Sequence, residues 1–153
     1  MPCRCLPLSF AGEVAVPRSS TPDYVIIFDG GSRGNPGPGY GSYILRTRDG
    51  REDLRRLSFE EVMTNNEAEY RTLIAALDDL ISRIQKAGKD PSHFTLEIRG
   101  DSRLVLSQLQ GIFRVRAPHL RPLQEAAHER LSRFRRVRLV WQPRKASASE
   151  LGH

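Results

Sequence analysis

The most constraining feature of the sequence is the uninterrupted apolar run at residues 24–28, Tyr-Val-Ile-Ile-Phe, which stops at the carboxylate of Asp29. A strand with one face in water alternates apolar and polar residues, so a continuous run with three β-branched members predicts a strand buried on both faces. We therefore expect this strand in the centre of a sheet.

Two more strands are predicted directly after it. The glycine- and proline-rich segment 30–39 is a turn, residues 40–48 form a second strand, Asp49-Gly50 signals a tight hairpin, and a third strand covers 51–59. We expect the three strands to pair in antiparallel order.

Helices and two further strands follow. The apolar stripe of Leu73, Leu77, Leu80 and Ile84 predicts a helix that begins after Thr64. The remaining segments are a strand over 94–99, helices over 102–110 and 118–134, and a last strand over 137–141. The resulting order β-β-β-α-β-α-α-β predicts an α/β domain with a mixed sheet.

Length and composition exclude several classes. A chain of 153 residues with 39% hydrophobic content supplies one core, and it contains no apolar run of the roughly 18 residues that a membrane span needs. Cys3 and Cys5 are too close together to close a useful loop, so we expect no disulfide scaffold and a cytoplasmic location. Residues 1–22 contain four prolines without periodicity, and we expect a flexible leader before a domain over 23–153.

The net charge of +6 is concentrated towards one end. Residues 99–153 hold 12 basic and 4 acidic groups, whereas residues 24–98 hold 10 basic and 12 acidic groups. Such a cationic region is typical of a protein that binds a polyanion such as nucleic acid, although a basic surface also serves solubility.

Three carboxylates are placed where they could meet. Asp29 and Asp101 follow predicted strands, where open α/β sheets form ligand crevices, although both could simply be turn or cap residues. Glu69 lies four positions before Leu73 and shares its buried stripe, whereas Glu67 should point to solvent. No Lys or Arg lies on that stripe to offset a buried carboxylate. The three acids therefore predict a site for hard divalent cations, and a pair of Mg²⁺ ions is a standard device for hydrolysing phosphodiesters.

Ordered motifs at 28–32, 34–39, 64–70, 100–105 and 141–144 make the sequence resemble type 1 ribonuclease H over residues 24 to about 145. The resemblance implies a ribonuclease H-like fold, a five-stranded mixed sheet with flanking helices. It also implies endonucleolytic cleavage of the RNA strand of RNA–DNA hybrids, dependent on two Mg²⁺ or Mn²⁺ ions. Asp29, Glu69 and Asp101 correspond to the first three catalytic, metal-binding acids.

The resemblance further implies how substrate is bound. In the family, polar groups near the acids follow the minor groove of the hybrid and recognise the 2′-hydroxyls of RNA. The corresponding positions are Ser32, Asn35, Asn65, Asn66 and Arg103, and Thr64 with Asn35 matches a pocket for a phosphate of the DNA strand. Each could instead be a local turn or cap residue. We expect a monomer that binds RNA–DNA hybrid, with double-stranded RNA as a second candidate and no membrane partner.

The connection 111–118 departs from the family pattern, because it is too short for the basic extension that grips substrate in many bacterial members. Arginines elsewhere would have to compensate. The candidates are Arg114, Arg116, Arg121, Arg135, Arg136, Arg138 and Arg144.

The fourth family acid is missing in register. Its position falls at Leu151, which cannot bind metal. Glu150 is adjacent, but Ser147-x-x-Glu150 predicts a helix capping box. A loop longer by two residues would place His153 there, and its imidazole or terminal carboxylate is then the catalytic candidate for the second metal.

Two other interpretations stay open. One is a catalytically weak or inactive module that binds RNA–DNA hybrids without the fourth acid. The other is a 3′-to-5′ exonuclease or integrase-like relative, although the pair Asn65-Asn66 before Glu69 favours hybrid recognition.

Overall fold

The computed structural model describes residues 21–111 and 114–151. The elements in chain order are β1 Tyr24–Ser32, β2 Gly37–Thr47, β3 Glu52–Met63, α1 Asn65–Lys86, β4 Thr95–Gly100, α2 Arg103–Gln110, α3 Arg121–Leu131, β5 Arg136–Trp141 and α4 Arg144–Leu151. A single 3₁₀ turn, Pro91–His93, precedes β4. The predicted leader, apart from its last two residues, and His153 lie outside the described residues.

The strands form one mixed sheet in the order β3-β2-β1-β4-β5. The first three strands pair antiparallel, and β4 lies parallel to both β1 and β5. The central position predicted for residues 24–28 is confirmed, and Val25 to Phe28 are buried. β3 runs four residues beyond its predicted end, because an irregularity in its pairing with β2 lets it continue past Glu60, whose φ of 57° is left-handed.

The two faces of the sheet are covered differently. The main apolar core lies between the sheet and α1, α2 and α3. On the other face α4 packs against β1 and β2, where Leu151 joins Val25, Ile27 and Ile44 in a smaller cluster. Although α1 has 22 residues, no helix in the described ranges has the length and apolar character to cross a bilayer.

Two glycines let α1 lie directly on the backbone of the sheet. A Cβ atom at Gly30 would lie 2.6 Å from the Ala68 carbonyl oxygen and 2.7 Å from the Glu69 nitrogen. A Cβ atom at Gly41 would lie 1.8 Å from Oγ1 of Thr72. Side chains at these positions would push the helix away, so the glycines fix the distance of α1 from β1 and β2.

The capping box predicted at Ser147 is wrong. α4 begins at Arg144, and the Ser147 hydroxyl lies inside the helix, where it accepts a hydrogen bond from Nε2 of Gln142 at 2.9 Å. Glu150 instead pairs with Arg46, with Nη2 and Oε2 separated by 2.9 Å. The helix starts earlier because the carbonyl of Pro143 already accepts from the amides of Ala146 and Ser147.

Candidate active site

Asp29, Glu69 and Asp101, distant in sequence, lie together in space. β1 carries Asp29, α1 carries Glu69 near its N-terminus, and Asp101 follows β4 directly. One carboxylate oxygen from each lies within 4.8 Å of the other two, and all three residues are half-buried. The three acids that the sequence analysis expected to meet therefore do so.

Glu69 shows the electrostatic cost of this arrangement. Burial raises the pKa of its carboxyl to about 7, and repulsion by Asp101 and Asp29 adds to the shift. A hydrogen bond from the Ser102 hydroxyl and the charge of Arg144 oppose it only in part. Within the described residues, Oε2 of Glu69 is buried without a hydrogen-bond partner. A hard cation would satisfy this oxygen, so the acids fit a divalent metal.

Arg144 is the arginine that approaches the acids within salt-bridge distance in the described residues. Its Nε lies 3.4 Å from Oδ2 of Asp101, but its side chain is 83% exposed. One solvated guanidinium cannot neutralise three carboxylates, so the cluster keeps an excess of negative charge.

Trp141 at the end of β5, and Gln142 after it, hold the backbone at Gly100 and Asp101. The indole nitrogen of Trp141 donates to the Asp101 carbonyl oxygen at 3.1 Å, and the Gln142 amide donates to the Gly100 carbonyl at 2.9 Å. The guanidinium of Arg103 lies 4.2 Å from the centre of the Trp141 ring. The sequence analysis missed this role of Trp141, although the residue opens one of the motifs.

A second polar group forms where the β1–β2 turn meets the start of α1. Oδ1 of Asn65 accepts from the amide and the hydroxyl of Ser32, at 2.9 and 3.0 Å. The Asn65 amide donates to Oδ1 of Asn35 at 3.2 Å. Thr64 caps the helix in a reciprocal capping box with Glu67. We name Ser32, Asn35, Thr64 and Asn65 the polar cluster.

Glu67 departs from its predicted orientation towards solvent. Its carboxylate accepts from the Thr64 amide at 3.1 Å, which ties it back to the start of the helix. The Thr64-x-x-Glu67 spacing was the signal that could have indicated this capping box.

The arginines that the sequence analysis proposed as substitutes for the basic extension lie in different parts of the structure. Arg138 is 3.9 Å from buried Glu97, and Nε of Arg121 donates to the Val115 carbonyl at 3.4 Å. Arg136 begins β5 and Arg135 directly precedes it, about 17 Å along the strand from the end that lies beside Gly100. The two exposed arginines Arg114 and Arg116 line a groove that also includes Asn66, Leu104, Gln108, Ala117 and Leu120.

This sheet order with flanking helices and three acids is the architecture of the ribonuclease H-like class, and comparison with known proteins agrees. Residues 27–149 match the family described as reverse transcriptase-like. Ribonuclease HI of Halobacterium salinarum is 40% identical over 107 residues, which are 70% of this chain and 50% of that protein. A bifunctional protein of Mycobacterium tuberculosis is 42% identical over 123 residues, 78% of this chain and 31% of that protein. The chain thus spans only about a third to a half of these curated relatives.

Solved structures give the same result. RNase H1 from Halobacterium salinarum superposes with a TM-score of 0.65 at 36% identity, covering 81% of this chain and 88% of that one. LC11-RNase H1, isolated from compost and solved in complex with an RNA/DNA hybrid, has a TM-score of 0.71 at 32% identity, covering 84% and 92%. The chain therefore belongs to the type 1 ribonuclease H family, and the predicted fold class is confirmed.

The raised pKa of Glu69 predicts how pH changes the stability of the metal-free protein. The unfolded carboxyl titrates near 4.5 and the folded one near 7, so the folded state holds the proton more tightly and loses stability as pH rises between these values. In a chelator at pH 8, Glu69→Gln should raise the free energy of unfolding by roughly 2 kcal/mol, and the gain should vanish near pH 4.5. Urea unfolding at both pH values measures this.

Glu125→Gln is the matched control, because Glu125 is exposed and lies outside the acid cluster. It should leave the free energy of unfolding unchanged at either pH. Equal effects of the two substitutions at pH 8 would contradict the electrostatic account of Glu69.

Proposed function

We propose that this protein is an endonuclease that hydrolyses the RNA strand of RNA–DNA hybrids by a two-metal-ion mechanism. The observation that carries the proposal is the approach of Asp29, Glu69 and Asp101 to within 4.8 Å, with a buried Glu69 oxygen left unsatisfied among the described residues. The activity named for the ribonuclease H relatives supports it.

Asp29, Glu69 and Asp101 would hold two Mg²⁺ or Mn²⁺ ions. When bound, such ions activate the attacking water and stabilise the leaving oxygen of a phosphodiester. The protein's own contribution is to keep the three carboxylates together, and without a cation Glu69 would hold its proton up to about pH 7. A cation beside these oxygens lowers that pKa, so metal binding should release a proton.

The polar cluster, with Asn66 and Arg103, is the proposed substrate-binding surface. Hydroxyl and amide groups suit the 2′-hydroxyls of RNA, which donate and accept hydrogen bonds. The amides at the start of α1 favour a phosphate, and Thr64 with Asn35 lies at that place. We propose a cytoplasmic monomer acting on hybrids, with double-stranded RNA as a second substrate to test.

His153 remains the proposed fourth catalytic group. Within the described residues, the two neighbouring alternatives serve other purposes, because Leu151 is buried in the smaller apolar cluster and Glu150 pairs with Arg46. His153 follows α4 by two positions and carries an imidazole, a ligand that some metal sites combine with carboxylates.

The same observation on Leu151 favours a second candidate function. A site with three acids and an apolar residue at the fourth position would bind hybrids while cleaving them weakly or not at all. Binding without cleavage, unchanged when Asp29 becomes Asn, would identify this module.

The central test compares nucleic acids and metals in one gel assay. With Mg²⁺ or Mn²⁺, wild-type protein should cut the RNA of a uniformly labelled hybrid, including one whose RNA ends are blocked, and leave double-stranded DNA intact. Asp29→Asn, Glu69→Gln and Asp101→Asn should each reduce cleavage at least a hundredfold, because each removes a negative metal ligand. An intact hybrid in both metals would contradict the proposal, and cleavage only from free ends would indicate an exonuclease.

The groove arginines should supply phosphate contacts. Replacing Arg114 and Arg116 together by Gln should weaken hybrid binding several-fold and lower the slope of log affinity against log salt by about 1 to 2, since each phosphate contact releases counterions. The control replaces Arg135 and Arg136 together by Gln, which removes the same charge near the start of β5, away from Gly100 and Asp101. It should lower hybrid affinity and the salt slope less than the groove variant does. Filter binding from 50 to 200 mM salt compares them; equal slopes in the two double variants would refute a local role for the groove.

The fourth ligand is tested by two substitutions. His153→Ala should lower turnover more than Glu150→Ala, because Glu150 is expected only to stabilise α4 through Arg46, by at most about 1 kcal/mol. Turnover and urea unfolding are measured on both variants. If neither changes turnover, both residues are eliminated as ligands.

A further inference from the structure

Trp141 is the only tryptophan in the sequence, and it lies against one of the three acids. β5 ends at this residue, which pairs with Gly100 at the end of β4. Its indole N–H donates to the Asp101 carbonyl at 3.1 Å, beside the main-chain bond from Gln142 to Gly100. The Trp141 side chain therefore holds the Asp101 peptide against β5, one residue beyond the last backbone pair between β4 and β5.

This hydrogen bond acts on a short connection between two elements. β4 ends at Gly100 and α2 begins at Arg103, so two residues separate the elements. Gly100 has no side chain to anchor, because a Cβ atom there would lie 2.8 Å from Cε1 of Phe28. The orientation of the Asp101 peptide, and with it the direction of its carboxylate, depends on hydrogen bonds to neighbouring elements.

The indole ring of Trp141 also contacts the side chain of Arg103. The guanidinium lies 4.2 Å from the ring centre, within the range of a cation–π contact. The half-buried ring also packs against the edge of the main core. One side chain thus contacts the core, an exposed cation and the backbone of an acid.

We propose that Trp141 is a positioning residue that orients Asp101 for a divalent cation and holds Arg103 beside it. The inference rests on the proposed metal site. Groups that hydrogen-bond around metal ligands fix ligand orientation, and their loss commonly weakens metal binding by about tenfold or more. If Trp141 only packed against the core, removing its N–H while keeping the shape of the ring would leave Mg²⁺ binding unchanged.

The test removes the N–H and keeps the ring. Because the chain has one tryptophan, global replacement by β-(3-benzothienyl)alanine puts sulfur in place of the indole N–H at position 141 alone. Calorimetric titration with Mg²⁺ at 25 °C should show about tenfold weaker binding, while the melting temperature in chelator stays within a few degrees. Arg103→Gln keeps the indole N–H, so it should leave Mg²⁺ affinity within about twofold and weaken hybrid binding instead.

A second measurement needs no substitution. The wild-type protein gives one indole signal in a ¹H–¹⁵N spectrum, and saturating Mg²⁺ should slow its hydrogen exchange, because an Asp101 fixed by metal holds its carbonyl against Trp141. Exchange that is unchanged by Mg²⁺, although calorimetry shows binding, would overturn the inference.

The outcomes separate the two proposals. If wild-type protein binds no Mg²⁺ or Mn²⁺, the metal-dependent function fails and the inference fails with it. If wild type and the analogue bind Mg²⁺ equally, the role of Trp141 is refuted while the proposed function stands.

Discussion

The close packing of α1 on the backbone of β1 and β2 is the constraint on which the site depends. Gly30 and Gly41 allow this approach, and Glu69 follows Ala68, the residue whose carbonyl faces Gly30. Burying the Glu69 carboxylate beside Asp101 and Asp29 costs on the order of 3 kcal/mol, judged from a pKa of about 7, and burial is the larger part of this cost. The helix offsets this cost because each large apolar side chain that it buries contributes about 1.5 to 3 kcal/mol, and Leu73, Leu77, Leu80, Ile81 and Ile84 are all buried.

The two ends of α4 contact different parts of the molecule. Arg144 at its first position approaches Asp101, whereas Leu151 at its last position joins the apolar cluster on β1 and β2. The helix therefore connects the acid site with the less covered face of the sheet. The sequence analysis predicts the position of the fourth family acid at Leu151, and this residue is part of an apolar cluster at the end of the same helix.

Local signals were sufficient to predict the strands, α1 and the meeting of the acids. The apolar run at 24–28 indicated a central strand, and the four-residue spacing from Glu69 to Leu73 indicated an inward carboxylate. Contacts between distant residues were beyond such reasoning. Glu150 pairs with Arg46 across 104 positions, and the Trp141 indole reaches Asp101 across 40, so neither partner could be read from nearby sequence. Glu97 stands at a polar position in the alternating pattern of β4, which predicts an exposed side chain. It is only 5% exposed, because Arg99 and Arg138 lie beside it.

Among the described residues, β3 and β5 form the two edges of the sheet, where backbone amides and carbonyls are open to pairing with another chain. β3 carries exposed Arg55, Arg56, Glu60 and Glu61, and its left-handed Glu60 interrupts the regular edge. β5 begins with the exposed cation of Arg136. Docking a foreign strand on either side would require burying these charges or straightening a bent backbone, so the fold carries its own protection against edge-to-edge aggregation.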